Sequence, residues 1–453
     1  MLRLGSLLAR GLRAVSRWAG RSGGTTAPGR ILLRLEPGAL GRLAPRLEHG
    51  SVLISATNGK TTTAAMIAEI LQRSGQPVVH NRTGSNMHWG VATAMLDAGR
   101  EPEQLGLFEV DEAWLGTVGR ELQPRAYLLA NLFRDQLDRY GELDSIAADW
   151  GRLAAEQQDA ATFVLNADDP LVADLGRDRP RVVYFGLEDD THALPELQHA
   201  ADSKACRNCG AAYVYEAVYV GHLGRYRCTA CGRERPQAQV VGKRVRLDGM
   251  RGSELDLRTP SGQTTIALPL PGLYNVYNAI AAAAAALELG AGLDDVRGAL
   301  EAFGGAFGRV ETIPVAGRDV SILLVKNPAG ANEVLRTLTL EQGPHDLWLA
   351  LNDGIADGRD VSWIWDADFE LLAGHVRRVT CSGTRAEEMA LRLKYAGVEA
   401  RAHVEHDLGD SLDSAVADAN GEGRPLYALP TYTALLELRD LLSRRGLAPR
   451  WSE

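Results

Sequence analysis

The sequence predicts an α/β protein: a phosphate-loop domain interrupted by a four-cysteine ribbon, then a second α/β domain. A short apolar run, Val52–Ile54, leads through Asn58-Gly59-Lys60-Thr61 into a helical pattern. Strand candidates and helical stretches then alternate, which is typical of a mostly parallel sheet with helices on both faces. Two Cys-x2-Cys pairs interrupt this alternation. Together these three observations set the predicted order of the domains.

Length and composition describe an ordinary globular chain. Its 453 residues indicate two or three domains, and 45% of them are hydrophobic. The formal net charge of -9 argues against a general nucleic-acid binder, whose surface would be basic. No apolar run is long enough to span a membrane as a helix.

Residues 1–45 form a basic segment with an amphipathic pattern. The first 35 residues contain seven Arg and no Asp or Glu, and Leu, Val and Trp recur at helical spacing. No uninterrupted apolar core precedes a cleavage site, which argues against a secretory signal. Three interpretations remain open: the segment packs on the next domain, lies on an anionic membrane surface, or is an organelle transit peptide.

The stretch Asn58 to Thr63 is the strongest functional signal. Backbone N–H groups of such a loop and the following helix N-terminus favour an anion. The Lys60 side chain can reach nucleotide phosphates, and the hydroxyl of Thr61 can ligate Mg²⁺. Ile54 stands where the usual phosphate-loop pattern has its first glycine. We therefore predict nucleotide binding, against the alternative of a glycine turn with a solvated lysine.

Polar clusters follow the predicted strands of this domain. The strand candidates lie near 77–80, 106–110, 126–131, 162–165 and 182–186. The clusters are 109–112, 131–138 and 166–170. Ligands bind at the carboxyl ends of parallel strands, and carboxylates there suit Mg²⁺. Solvated loop charge is the alternative for most of these acids individually.

The cysteines predict a zinc site within a ribbon at 200–235. Cys206 and Cys209 form one knuckle, and Cys228 and Cys231 form the other. This spacing is typical of tetrahedral Zn²⁺, and two disulfides are the alternative. Cys381 stands alone, and we expect a buried structural thiol.

Short alternating segments after the ribbon predict antiparallel strands, and an Ala-rich helix follows from Val276. We place the first domain at 46–311 and the second at 312–453. A loop at 352–366 of the second domain contains four Asp, one Arg and two Trp after a predicted strand. Loops in this position often carry function.

Several motifs occur in the order expected of Mur ligases. They are TNGKTTT (57–63), EVDE (109–112), NLFRDQLDRYGE (131–142), LNADDP (165–170), GLYNVYNAIAAA (272–283) and FGR-V-E (307–311). The chain resembles this family of ATP-dependent amide ligases from residue 50 to about 312. Gln136 and Tyr274 stand where many members have His, and only about 50 residues precede the loop, too few for the family's UDP-sugar domain. With NPAG-AN (327–332) and the 352–370 stretch, the chain is similar to the branch that forms the ligase subunits of lipid II isoglutaminyl synthases.

The resemblance implies an activity and its partners. ATP would phosphorylate the α-carboxylate of D-Glu in lipid II, and ammonia would displace phosphate from the acyl phosphate to give D-isoglutamine. Ammonia would come from a GatD-type glutamine amidotransferase subunit in a heterodimer, with no nucleic acid involved. The enzyme would be cytoplasmic, and peripheral attachment at the inner face of the bacterial membrane stays open.

The resemblance also implies roles for individual residues, with ATP, Mg²⁺ and Zn²⁺ as cofactors. Asn58, Gly59, Lys60, Thr61 and Thr62 would contact the ATP phosphates, Asn275 the adenine and Arg309 a phosphate. Thr61 and Glu109 would hold Mg²⁺. Asp360 would complete the catalytic triad of the glutaminase partner, with Asp357 and Asp366 as alternatives and a turn-capping role as the plain interpretation.

Two other functions fit parts of the sequence. One is a different amide ligase, such as a folylpolyglutamate-type enzyme that adds an amino acid. The other is a zinc-ribbon ATPase that binds nucleic acid. The acidic charge opposes the second, and the ribbon opposes the first.

Overall fold

The computed structural model describes residues 26–81, 85–100, 102–135, 143–157, 160–199, 201–304, 310–417 and 423–449. Eleven strands precede residue 270: β1 Ser51–Ser55, β2 Val78–His80, β3 Leu105–Glu109, β4 Ala126–Leu129, β5 Thr162–Asn166, β6 Val182–Leu187, β7 Tyr213–Val220, β8 Leu223–Cys228, β9 Val240–Leu247, β10 Ser253–Thr259 and β11 Gly262–Leu268. Nine of them form one sheet in the order β11-β10-β9-β6-β5-β4-β1-β3-β2. Within this sheet, neighbours along the run β9-β6-β5-β4-β1-β3-β2 pair in parallel, whereas β9, β10 and β11 pair antiparallel.

Helices cover both faces of this sheet, as the alternating pattern predicts. One face packs against Lys60–Arg73, Leu273–Glu288 and Leu293–Glu301. The other face packs against Ala27–Leu35, Ala39–Leu43, His88–Ala94, Leu115–Leu122, Leu143–Glu156 and Pro170–Ala173. Short 3-10 turns occupy Ala44–Arg46, Met95–Asp97, Asp174–Gly176 and Gly249–Arg251. The central strand β1 is buried along its whole length, so the loop that follows it has a rigid base.

The second sheet has six strands in the order β12-β13-β17-β14-β15-β16. They are β12 Val310–Val315, β13 Arg318–Leu323, β14 His345–Ala350, β15 Val376–Ser382, β16 His403–Val404 and β17 Leu426–Pro430. Only β12 is antiparallel to its neighbour. Helices Pro328–Thr339 and Ala386–Tyr395, with the 3-10 turns Ser362–Trp365 and Phe369–Leu372, cover one face. Helices Leu408–Ala417 and Tyr432–Arg444 cover the other. This is the Rossmann-like arrangement that the sequence predicts for the second domain.

The ribbon is a separate two-stranded hairpin of β7 and β8. Strands β6 and β9, which flank it in sequence, pair directly with each other in the nine-stranded sheet. The ribbon is therefore an insertion between two neighbouring strands, as the interrupted pattern predicts.

The basic N-terminal segment is described only from residue 26 onward. Helix Ala27–Leu35 lies against helix His88–Ala94, and the Gly29 N–H donates to Thr93 Oγ1 at 2.9 Å. The Arg30 guanidinium lies 4.6 Å from the ring centre of Trp89. These contacts support the packing interpretation for this helix, and the earlier Arg and Leu residues lie outside the described part. Within that part, no helix combines the length and apolar character needed to span a bilayer.

Candidate functional site

The phosphate loop, residues 56–60, connects β1 to helix Lys60–Arg73. Gly59 has a φ of 87°, in the left-handed region that favours glycine. A Cβ at this position would lie 2.0 Å from Oδ1 of Asn278, so the site also needs glycine for space. The strand, tight loop and helix predicted from sequence are present here.

Lys60 is buried at the start of the helix, 8% exposed. Its Nζ donates to the Glu112 carboxylate at 2.6 Å and to the carbonyl of Ala56. Burial alone would lower the pKa of Lys60, but the carboxylates of Glu112 and Asp111 outweigh it and the pKa is raised. Burial likewise opposes ionisation of Glu112, yet Lys60 and Lys326 lower its pKa. The site therefore holds a charged lysine that faces anionic oxygen.

The loop after β4, residues 130–135, holds the phosphate loop in place. The Asn58 N–H donates to Asn131 Oδ1 at 2.9 Å, and Asn131 Nδ2 donates to the Asn58 carbonyl at 3.0 Å. The Phe133 N–H donates to Thr57 Oγ1 at 3.0 Å, and the Thr57 hydroxyl donates to the Phe133 carbonyl at 3.3 Å. Two reciprocal pairs thus fix successive residues of the phosphate loop.

The second domain meets the phosphate loop directly. Asn58 and Asn327 form a reciprocal amide pair, with Nδ2 to Oδ1 distances of 3.2 and 3.0 Å. Asn327 also caps helix Pro328–Thr339 by accepting from the Gly330 N–H. Next to it, Lys326 forms an ion pair with Asp135 of the β4 loop. Sequence analysis did not select Lys326, although its place between a strand end and a helix cap was a usable signal.

Asn275 lies in the first turn of helix Leu273–Glu288, close to the phosphate loop. Its Nδ2 donates to the Pro271 carbonyl at 2.8 Å, and its Oδ1 accepts from Asn278 at 3.1 Å. Asn278 in turn accepts from the Thr63 hydroxyl at 3.3 Å. Arg309, predicted as a phosphate contact, lies outside the described residues.

Glu109 and Thr61, the predicted Mg²⁺ ligands, lie at the end of β3 and in the first helical turn. Glu109 is fully buried, and Asn81 bonds both its N–H and its carbonyl. Thr61 is half-buried, and Thr62 behind it is buried. A carboxylate and a hydroxyl beside a phosphate loop are a suitable donor set for Mg²⁺.

The carboxylates of the LNADDP motif have structural partners. Asp168 accepts from the Tyr277 hydroxyl at 2.7 Å and the Leu187 N–H at 2.8 Å, and pairs with Arg235. Asp169 caps helix Pro170–Ala173 and accepts from the Leu132 N–H at 2.9 Å. Both are fully buried, and these hydrogen bonds and the ion pair hold the neighbouring loops together.

The four ribbon cysteines converge at one point. Their sulfur atoms all lie within 4.8 Å of one another, with Cys206 to Cys231 at 3.6 Å and Cys209 to Cys228 at 3.4 Å. Four thiolates bound to one Zn²⁺ at 2.3 Å would lie about 3.8 Å apart, so the geometry fits this metal. All four are free cysteines, which opposes the disulfide alternative.

Asp360 is exposed in the loop after β14, and its Oδ1 accepts from the Ser362 N–H at 2.8 Å. Hydrogen bonds from Ser362 lower the pKa of Asp360, so it is ionised at neutral pH. Asp357 is instead buried and accepts from the Thr433 N–H at 2.8 Å and its hydroxyl. Asp366 lies 3.7 Å from Arg134 of the first domain. Of the three candidates, Asp360 is the most exposed residue, and it also caps a turn.

Comparison with known proteins places this architecture in a family. The model of the Mur ligase middle domain matches residues 54–286, and that of the MurT ligase C-terminal domain matches residues 324–435. The chain is 33% identical over 438 residues to the lipid II isoglutaminyl synthase (glutamine-hydrolyzing) subunit MurT of Staphylococcus aureus strain N315, covering 96% of this chain and 97% of the relative.

Solved structures share the fold at low sequence identity. A pseudomurein peptide ligase type C from Methanothermus fervidus gives a TM-score of 0.68 at 22% identity, covering 88% of this chain and 79% of that one. MurF ligase from Thermotoga maritima, solved in complex with ADP, gives 0.60 at 14% identity, covering 90% and 85%. With the family matches, these findings show that the chain is a ligase of the Mur ligase family and belongs, within it, to the MurT subunits.

Proposed function

We propose that this chain is the ligase half of a two-subunit enzyme that amidates the D-Glu α-carboxylate of lipid II during peptidoglycan synthesis. ATP phosphorylates that carboxylate, and ammonia displaces phosphate from the acyl phosphate to leave D-isoglutamine. The observation that carries the proposal is the phosphate loop, where buried, charged Lys60 faces Glu112 and the second domain closes on the same loop through Asn327.

The charges around the loop suit phosphoryl transfer. A carboxylate oxygen is a poor leaving group at neutral pH, and conversion of the carboxylate to an acyl phosphate, a mixed anhydride, makes phosphate the leaving group. The site must then neutralise charge on ATP and on the substrate carboxylate. Lys60 comes from the first domain and Lys326 from the second, and both lower the pKa of Glu112. Mg²⁺, held by Glu109 and Thr61, would screen further phosphate charge.

Ammonia is proposed to come from a partner subunit. A glutaminase needs an activated thiol or equivalent nucleophile. Four cysteines of this chain converge in the ribbon, and the fifth, Cys381, is buried with a pKa raised to about 12 by desolvation. None of them is placed as a nucleophile. Asp360, exposed and ionised, is instead available to orient a histidine of a partner.

The loop that presents Asp360 is anchored on its inner side. Asp357, three residues earlier, is bonded to Thr433 at the start of helix Tyr432–Arg444. Asn352 at the beginning of the loop donates to Thr433 Oγ1 at 3.1 Å. A carboxylate on an anchored but exposed loop suits a group supplied in trans, because orienting a partner's imidazole requires a fixed position.

The proposal is tested with the purified chain, ATP, Mg²⁺, a lipid II analogue and ammonium chloride. We expect equal amounts of ADP and of product amidated at the D-Glu α-carboxylate, detected by mass spectrometry. Free amino acids replace ammonium in a parallel reaction. Product with an amino acid and none with ammonium would identify a different amide ligase.

A further inference from the structure

The ribbon is oriented so that the turn between β7 and β8 is buried against the rest of the molecule. Cys209 and Cys231 of the two knuckles are exposed, whereas the hairpin turn at the opposite end, Gly221-His222, is buried. His222 is 0% exposed. The end of the ribbon remote from the cysteines is therefore in contact with the first domain.

This turn lies against Phe133 of the β4 loop. The ring centres of His222 and Phe133 are 4.7 Å apart. Gly221 has a φ of 59°, and a Cβ there would lie 2.7 Å from Cε1 of Phe133, so only glycine allows this approach. Turn and ring are in van der Waals contact and cannot shift independently.

Polar groups meet His222 on two sides, by a hydrogen bond at Nδ1 and by a longer contact with a carboxylate at Nε2. The Asp202 N–H donates to His222 Nδ1 at 3.3 Å, and the Asp202 carboxylate accepts from the Arg134 N–H at 2.8 Å. On the other side, His222 Nε2 lies 3.4 Å from Oδ1 of Asp169, whose Oδ2 accepts from the Leu132 N–H. His222 is thus linked to the residues on both sides of Phe133.

Phe133 is the residue that clamps Thr57 of the phosphate loop through two reciprocal hydrogen bonds. A single residue therefore separates the ribbon turn from the phosphate loop. A displaced Phe133 would change the position of Thr57 and of the Asn58 and Gly59 amides that follow it.

The turn end of the ribbon also contacts the second domain. Arg336 of helix Pro328–Thr339 donates to the Tyr219 carbonyl at 2.7 Å. Gln198 accepts from the Gly221 N–H at 2.8 Å and donates to Asp368 at 3.0 Å. The turn thus lies where the phosphate loop and the second domain come together.

We propose that the Gly221-His222 turn positions the phosphate loop for nucleotide, with His222 acting through Phe133 and Thr57. His222 is a positioning residue: its contacts run to the β4 loop. This inference rests on the proposed function in one respect, that the phosphate loop binds ATP. It assigns the ribbon a role in nucleotide affinity in addition to stability.

The test is His222→Ala in the full chain, compared with Tyr213→Ala. Tyr213 is a buried ring of the same ribbon at its knuckle end, so its loss weakens the ribbon without touching Phe133. We expect His222→Ala to weaken binding of a non-hydrolysable ATP analogue about tenfold and to raise KM for ATP, with kcat at saturating ATP little changed. Tyr213→Ala should keep the wild-type affinity.

Amide hydrogen exchange gives a second readout that needs no nucleotide. We expect faster exchange at residues 57–60 in His222→Ala and wild-type exchange there in Tyr213→Ala. His222→Asn, which keeps an acceptor for the Asp202 N–H, should recover part of the affinity, and it replaces His222→Ala if that variant fails to fold.

The outcomes separate the two proposals. A folded His222→Ala with wild-type affinity and wild-type exchange at 57–60 overturns this inference. Equal losses of affinity in both variants also overturn it, since they would reflect ribbon stability alone. A wild-type chain that binds no adenine nucleotide contradicts the proposed function instead.

Discussion

The side chain of Lys60 lies between the Ala56 carbonyl and the Glu112 carboxylate, where a bound triphosphate would bring further negative charge. We expect Lys60→Ala to lower ATP-dependent amidation roughly 10²–10³-fold, because charge stabilisation of the transferring phosphoryl group is lost. The fold should survive, since Lys326 remains near Glu112 and continues to offset its charge. Amidation assays with circular dichroism check both points.

Lys243→Ala is the matched control for Lys60. Lys243 is a more exposed lysine of β9 that pairs with Glu188 at 3.1 Å, away from the phosphate loop. It should keep full activity. Amidation by Lys60→Ala within tenfold of wild type would contradict the assignment of the loop.

Substitution of Asp360 should affect amidation differently with glutamine and with ammonium as the nitrogen donor. We expect Asp360→Ala to abolish amidation driven by glutamine in the presence of the partner subunit, because the partner's histidine loses its orienting carboxylate. Amidation driven by high ammonium should be largely retained, since it uses only the ATP site. The rates with the two nitrogen donors are compared in the same preparation.

A variant of a neighbouring aspartate is the control for this result. Asp366→Ala, on the same loop, should leave both reactions intact if Asp360 is the triad carboxylate. Loss of both reactions in a folded Asp360→Ala would move this residue into the ligase site. Loss of neither would leave it as the cap of the Ser362 turn.

At the scale of an element, the ribbon has a small core in which Tyr213 and Tyr226 pack beside Cys206 and Cys228. So few buried residues stabilise little on their own, and small units of this kind depend on a metal. We expect one Zn²⁺ per chain, measured by metal analysis of protein purified without chelator. Chelation should lower the unfolding temperature, and a fully folded metal-free chain would contradict the prediction.

Two N-terminal truncations of different length separate the role of helix Ala27–Leu35 from that of the residues before it. Deleting residues 1–25 removes five of the seven early Arg but keeps the contacts of Gly29 and Arg30 with helix His88–Ala94. We expect this truncation to retain ATP hydrolysis and stability and to weaken binding to anionic vesicles. Deleting residues 1–35 should also lower the unfolding temperature, because Leu32 is fully buried. Unchanged vesicle binding in the shorter truncation would favour packing as the only role.

For the whole molecule, the ion pair between Lys326 and Asp135 joins the two domains beside the phosphate loop. We expect Lys326→Met to lower kcat/KM for amidation about 10²-fold, because the site then loses the positive charge that Lys326 brings from the second domain. Lys394→Met, at an exposed position of the same domain, is the control. A near-normal kcat/KM would limit Lys326 to a structural contact.

Local pattern predicted most of the fold. The alternation between 240 and 268 predicted antiparallel strands, and β9, β10 and β11 pair that way. The Gly-Lys-Thr loop and the two cysteine pairs are short motifs, and the spacing of residues in a short motif largely determines its local geometry. Family membership and fold class are confirmed by the comparisons.

Contacts between residues far apart in the chain could not be predicted from the sequence pattern. Nothing local predicts that Lys326 meets Asp135, 191 residues away in sequence, or that the ribbon turn lies against Phe133. The cluster at 166–170 suits Mg²⁺ by its place at a strand end, with solvated loop charge as the alternative, and only the positions of Tyr277, Arg235 and Leu132 reveal the structural partners of Asp168 and Asp169. The assignments of Asn58, Lys60, Glu109, Asn275, Arg309 and Asp360 remain predictions.

The burial of Cys381 has a practical consequence. Its thiol is 0% exposed within β15, and its raised pKa leaves it protonated, so a thiol reagent cannot attack it in the folded chain. The other four cysteines belong to the ribbon, so labelling that stops at four thiols would report release of the predicted Zn²⁺. Modification of the fifth would mark the opening of the second domain. Thiol labelling thus separates two events, loosening of the insertion and opening of the second domain.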